Sequence, residues 1–151
     1  MGIENPSDPG NQRGAEIEEK IAKLIQGRPD VREVTITQKD MSDDREMRDL
    51  IVNLINYDTS INLTPVFVQA KASNRGIEHF NEELKKILIK QGITDQISLK
   101  EWMLVRKLIL LNGDLVTSRS GKSSRHLTDE EILISFDTQL LEIVEHEKTL
   151  R

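Results

Sequence analysis

Four stretches of this chain read as β-strands, and the lengths of the segments between them decide how those strands can pair. VREVTIT (31–37), MRDLIVNLI (47–55) and VFVQAKA (66–72) are rich in Val, Ile and Thr or alternate with period two. The polar segments that part them, QKDMSDDRE (38–46) and NYDTSINLT (56–64), have the length of a turn and a loop, which predicts antiparallel neighbours. Pro65 stands at the start of the third strand, where a missing N–H is tolerated. The fourth strand, MLVRKLILLNG, ended by Asn112-Gly113, comes only after IEHFNEELKKILIKQG. That segment is a helix with Ile77, Phe80, Leu84, Ile87 and Leu88 on one face and a stop at Gly92. A helix between two strands predicts a right-handed parallel crossover.

Two more helices complete the pattern. GAEIEEKIAKLIQG puts Ile17, Ile21, Leu24 and Ile25 on one face and ends at Gly27 and Pro29. Thr128 and Glu131 make a capping box that opens a final helix bearing Ile132, Phe136, Leu140, Ile143 and Val144 on one face. TDQISLKEW is a short helical or irregular connector, and DLVTSRSGKSSRH (114–126) reads as a polar, basic, flexible loop. The expected fold is α/β, a mixed central sheet flanked by helices in the order α-β-β-β-α-β, with an added C-terminal helix. Residues 1–13 are expected to be a flexible tail and 14–151 a single domain.

Composition narrows the class. The 151 residues are enough for one core, 36% are apolar and 31% charged, and no run approaches the roughly 18 apolar residues of a membrane span. The polar N-terminus lacks a signal-peptide core, and with no cysteine there are neither disulfides nor thiolate metal sites. A cytoplasmic protein with no membrane partner is the expectation. The net charge of −5 is unevenly spread: residues 66–125 carry 11 basic and 6 acidic side chains, between two acidic flanks. A basic middle is what a nucleic-acid partner would require, and chance segregation of solvated charge accounts for it equally well.

Side chains alternate along a strand, so Phe67, Gln69 and Lys71 share one face and Val66, Val68 and Ala70 the other. Asp49, Ile51 and Asn53 share a face of the preceding strand, and antiparallel pairing brings Asp49 to the Gln69–Lys71 end. Glu18 lies in line with Ala22 and Ile25 on the first helix, at the border of its buried face, and is its glutamate best placed to reach the sheet. A carboxylate and amide oxygens are hard ligands that suit Mg²⁺. A lysine beside them can orient water or neutralise phosphate charge.

The element order and these residues together resemble the PD-(D/E)xK (restriction-endonuclease-like) nuclease superfamily, with an acidic residue at the second strand and (D/E)xK on the third. Asp49 in RDLIV and Gln69-Ala70-Lys71 in VQAKAS take those places, with Gln where Asp or Glu is usual. The Gln-x-Lys form is similar to the Mrr-like branch, whose helix glutamate matches Glu18 in GAEIE; the proline usual before the first acid is replaced by Arg48. The resemblance covers about residues 14–112. It implies a Mg²⁺-dependent endodeoxyribonuclease (Mn²⁺ substituting) of a restriction, homing or mobile-element, or recombination system, acting on double-stranded DNA. By the same resemblance Asp49, Glu18 and Gln69 hold the metal and Lys71 assists the attacking water. Ser73 and Arg75, just past the motif, and Arg119, Lys122 and Arg125 in the basic loop are the candidates for DNA contact. Cutting both strands of a duplex needs two active sites, so a homodimer or homotetramer is expected.

The alternative is a non-catalytic nuclease-fold binding or assembly protein, in which Asp49 caps a turn and Gln69 and Lys71 lie on a solvated strand face. The acidic total and the glutamine favour it. Gly121-Lys122-Ser123 lacks the glycine that a phosphate loop needs at position 116, which is Val116, so nucleotide binding is rejected. His79, His126 and His146 make no metal-ligand pair, which argues against zinc. The acidic run 40–46 lacks a calcium loop's glycine and spacing. Trp102 reads as core or interface.

Overall fold

In the computed structural model the residues described are 9–37, 49–55, 63–93 and 98–150, with the side chains of 9–12 left aside. Helix α1 (Pro9–Gln26) begins five residues before Gly14, so 9–13 are helical rather than part of a tail. Proline is tolerated there because a helix's first N–H groups have no partner within it. Strands β1 (Val31–Ile36), β2 (Leu50–Leu54) and β3 (Val66–Ser73) form an antiparallel meander. Helix α2 (Asn74–Lys90) and the short connector helix α3 (Leu99–Val105) lead to β4 (Leu108–Thr117), which lies parallel to β3. Strand β5 (Ser124–His126) pairs back on β4, and α4 (Asp129–Thr149) follows it. The strand order is β1-β2-β3-β4-β5, so the α/β fold with a mixed sheet flanked by helices is as the sequence predicts. The turn expected at 38–46 and most of the loop expected at 56–64 lie outside the described residues.

The sheet has an apolar layer on each side. On one, Ile17, Ile21 and Ile25 of α1 and Ile132, Phe136 and Ile143 of α4 pack on Leu50, Val52, Val66, Val68, Ile109 and Leu111. On the other, Phe80, Leu84 and Leu88 of α2 pack on Leu108, with Phe67, Leu110 and Trp102 against them. Trp102 therefore belongs to the core, with Arg106 stacked 4.3 Å from its ring. Gln139 of α4 closes part of the outer edge of β4, accepting from Leu110 N (3.0 Å) and donating to Leu110 O (2.9 Å). At Leu110 the edge is thereby closed to a foreign strand.

Several expectations need correction. Met103–Val105 belong to α3, and the chain turns into the strand at Lys107, whose φ is 55°. Asn112-Gly113 does not end the fourth strand; β4 runs through it to Thr117. The Asn112 side chain carries the irregularity, accepting from Asp114 N (3.0 Å) and donating to Leu115 O (2.7 Å). Gly113 permits a close approach: a Cβ on it would stand 2.8 Å from Ile17 Cγ2 and 2.9 Å from Ile21 Cδ1. The segment 114–126, expected to be a polar loop, is a β-hairpin, since Leu115, Val116 and Thr117 pair with His126, Arg125 and Ser124.

Candidate functional site

Strand direction brings the candidate residues to one end of the sheet. Leu50 pairs with Val68, so Asp49, just before β2, lies beside Gln69 and the later half of β3. Helix α1 runs against β1, so its first half crosses this same end, where Ile17 and Ile21 rest on Gly113. Glu18 is half-buried there. The β4–β5 turn also lies at this end, because β4 runs parallel to β3.

Asp49 is only 8% exposed. Its Oδ2 accepts from Ala70 N (2.8 Å) and its own N donates to Val68 O (2.8 Å). Its carbonyl accepts from the N (2.9 Å) and Oγ1 (3.1 Å) of Thr37 at the end of β1. A buried carboxylate is tolerable only when hydrogen-bonded, and here the bonds also join the three meander strands. Gln69 is equally buried, at 8%, and its Oε1 has no hydrogen-bond partner among the described residues. Lys71 is half-buried, with Nζ 5.4 Å from the centroid of the Phe80 ring, and its stem passes Gly76, where a Cβ would meet Lys71 Cβ at 3.4 Å. Lys71 and Asp49 approach one end of the sheet from neighbouring strands without forming an ion pair with each other.

The remaining candidates separate. Ser73 is the N-cap of α2, its Oγ accepting from Gly76 N (3.0 Å). Arg125 is held by both oxygens of Glu131, at 2.9 Å each. The Arg125 guanidinium, with the Thr128 N–H next, keeps the Glu131 carboxyl well below its ordinary range, at about 2, and Glu131 in turn raises the pKa of Arg125. Arg75 leans over the β4–β5 turn, where Arg119 and Lys122 are exposed.

Sequence reasoning missed two groupings. Asn74 bridges α2 to β4 by accepting from Thr117 N (2.9 Å) and donating to Thr117 O (3.0 Å). Its place directly after the motif strand is the signal that could have found it. Asp114, its side chain 17% exposed, binds both Arg13 (2.7 Å) and His126 Nδ1 (2.5 Å). The strand pairing that joins them crosses a segment that reads as a loop.

Among the described residues no three His, Cys, Asp or Glu side chains gather as a metal cage. The oxygens on the Lys71 face at this end are the Asp49 carboxylate and the buried Gln69 amide oxygen, whereas Glu18 comes from α1, which packs on the opposite face of the sheet. One carboxylate and an amide oxygen are the kind of hard ligand that would suit Mg²⁺, which keeps several waters, rather than a closed protein cage. Among the described residues no helix is long and apolar enough to cross a membrane. Comparison of the chain with protein-family models, with curated proteins and with solved structures found no match.

Proposed function

We propose that the protein is a divalent-metal-dependent DNA endonuclease whose reactive centre lies where β2 begins and β3 ends. The observation that carries this reading is the Gln69 Oε1, buried and unsatisfied among the described residues, beside a buried carboxylate. An unsatisfied buried oxygen costs about 1–3 kcal/mol, a cost that a hard cation removes. Asp49 and Gln69 would hold Mg²⁺ or Mn²⁺. Such an ion, when bound, supplies charge that stabilises a phosphodiester under attack and acidifies water. Lys71, which pairs with no carboxylate among the described residues, orients that water or neutralises the phosphate. The strand order, an antiparallel meander followed by a parallel crossover, supports the same reading.

A second reading, a binding or assembly protein on the same scaffold without turnover, is favoured by one observation: the Asp49 Oδ2 bond to Ala70 N already gives that carboxylate a structural use. Two measurements separate the readings. Supercoiled plasmid is incubated at low salt with Mg²⁺, Mn²⁺ or EDTA, and Mn²⁺ is titrated into the protein by calorimetry. We expect metal-dependent nicking that is abolished in Lys71→Ala and in Asp49→Ala, and Mn²⁺ binding that Asp49→Ala abolishes and Lys71→Ala keeps. Neither nicking nor Mn²⁺ binding by the wild-type protein would leave the second reading standing.

A further inference from the structure

The β4–β5 turn, SRSGKS (118–123), is tightly built for an exposed segment. Ser118 N donates to Ser123 O (2.8 Å) and Gly121 N to Ser118 O (2.9 Å). The serine hydroxyls take up further main-chain groups: Ser120 Oγ accepts from Lys122 N (3.3 Å) and Ser118 Oγ from Ser123 N (3.3 Å). At its base, both hydrogen bonds of Asn74 to Thr117 fasten the hairpin to the first residue of α2. Gly121 has φ +75°, and a Cβ there would stand 3.0 Å from Arg75 Nη2, so the guanidinium of Arg75 lies against the turn.

Three cations thus gather on a braced support. Arg75, Arg119 and Lys122 are exposed, and among the described residues their side chains form no ion pair or hydrogen bond, whereas Arg125 at the hairpin's base is neutralised by Glu131. Exposed cations without a carboxylate partner stay hydrated until a polyanion arrives, and a braced turn sacrifices little entropy on binding. Their neighbours in the turn are serines and a glycine, too small to hold a partner's backbone away. The turn also shares the end of the sheet that holds Asp49, Gln69 and Lys71.

We infer that the β4–β5 hairpin, with Arg75, is an arm that grips the phosphate backbone of double-stranded DNA next to the reactive centre. This rests on the nuclease reading for the identity of the polyanion as DNA. The arm itself requires no turnover. It binds phosphates and carries no sequence information.

The test is fluorescence anisotropy of a labelled DNA duplex with the full chain in EDTA, from 50 to 200 mM salt. Binding is then read without chemistry. Taking away one cation that neutralises a phosphate lowers the slope of log K against log salt by about 0.9. The double variant Arg119→Gln/Lys122→Gln is therefore expected to lower the slope by about 2 and to weaken binding roughly tenfold or more at the lower salt. Lys85→Gln/Lys86→Gln changes the net charge equally, but on cations already beside Glu82 and Glu83, and should leave the slope unchanged. Asn74→Ala should weaken binding with the slope kept, because it loosens the support and removes no charge. Equal slopes for the two double variants, with folding verified by circular dichroism, would overturn the arm. Tighter binding of an RNA duplex than of the DNA duplex would overturn DNA as its ligand. Absence of both nicking and Mn²⁺ binding in a wild-type protein that keeps this salt response would sink the nuclease reading and leave the arm in place.

Discussion

Gln69 is where structural economy and function make opposite demands. A buried amide whose oxygen is unsatisfied among the described residues is a liability that Leu, close in volume, would remove. Replacing an unsatisfied polar group by an apolar one of similar shape is neutral or stabilising. Gln69→Leu should therefore unfold at the same temperature as the wild type or higher, and show neither metal-dependent nicking nor Mn²⁺ binding. A variant destabilised by more than about 1 kcal/mol would mean that the amide is engaged in holding the fold. Period-two alternation sufficed to place Gln69 and Lys71 on one face. It could not tell that the Lys71 ammonium rests near the Phe80 ring, 5.4 Å from its centroid, because those groups meet across the strand–helix crossover. Nor did it disclose that Asp49 would tie β1, β2 and β3 together, since that role depends on backbone partners in two other strands.

Helices with clear local signals were legible at the level of the element; β4 was not. Thr128 and Glu131 announce α4, and the capping box is present in full, with Thr128 Oγ1 accepting from Glu131 N (3.1 Å) and Glu131 Oε1 accepting from Thr128 N (3.1 Å). Asn-Gly ordinarily signals a turn. In β4 the Asn112 side chain replaces the missing ladder bonds and Gly113 admits α1, so tertiary packing overrides the local signal. The hairpin was hidden for the same reason: its serines and arginines lack apolar alternation, and its strands are fixed by pairing at the sheet edge. The capping box yields a prediction with a definite sign. Glu131 titrates at about 2 in the folded chain against an ordinary value of 4.5, first because of Arg125 and then because of the Thr128 N–H. A depressed carboxyl pKa stabilises the fold above the ordinary value, and that contribution vanishes as the pH falls through the folded one. Thermal midpoints measured from pH 5 to pH 2 should thus fall more steeply for the wild type than for Glu131→Gln, which starts lower and has less to lose. Parallel curves would show that Glu131 makes no such contribution.

One sheet end gathers one proposed reactive centre per chain, and that fixes what the whole molecule can do to a duplex. The two strands of DNA run in opposite directions, so a single centre of fixed polarity cuts one strand in each encounter. Severing both at once requires a second chain related by a two-fold axis, which presents the same centre to the other strand. The proposed hairpin arm adds to the need, since phosphate binding at one end of a small domain grips only a short length of backbone. We therefore expect the protein to act as a homo-oligomer. Light scattering should give at least twice the chain mass of 17.3 kDa, and the ratio of linear to nicked plasmid should rise with protein concentration. Mixing wild type with excess Lys71→Ala sharpens the test, because mixed dimers hold one working centre and should turn linear product into nicked circles. A mass that stays at one chain, with nicked circles as the sole early product at every concentration, would instead assign the protein to cutting one strand at a time.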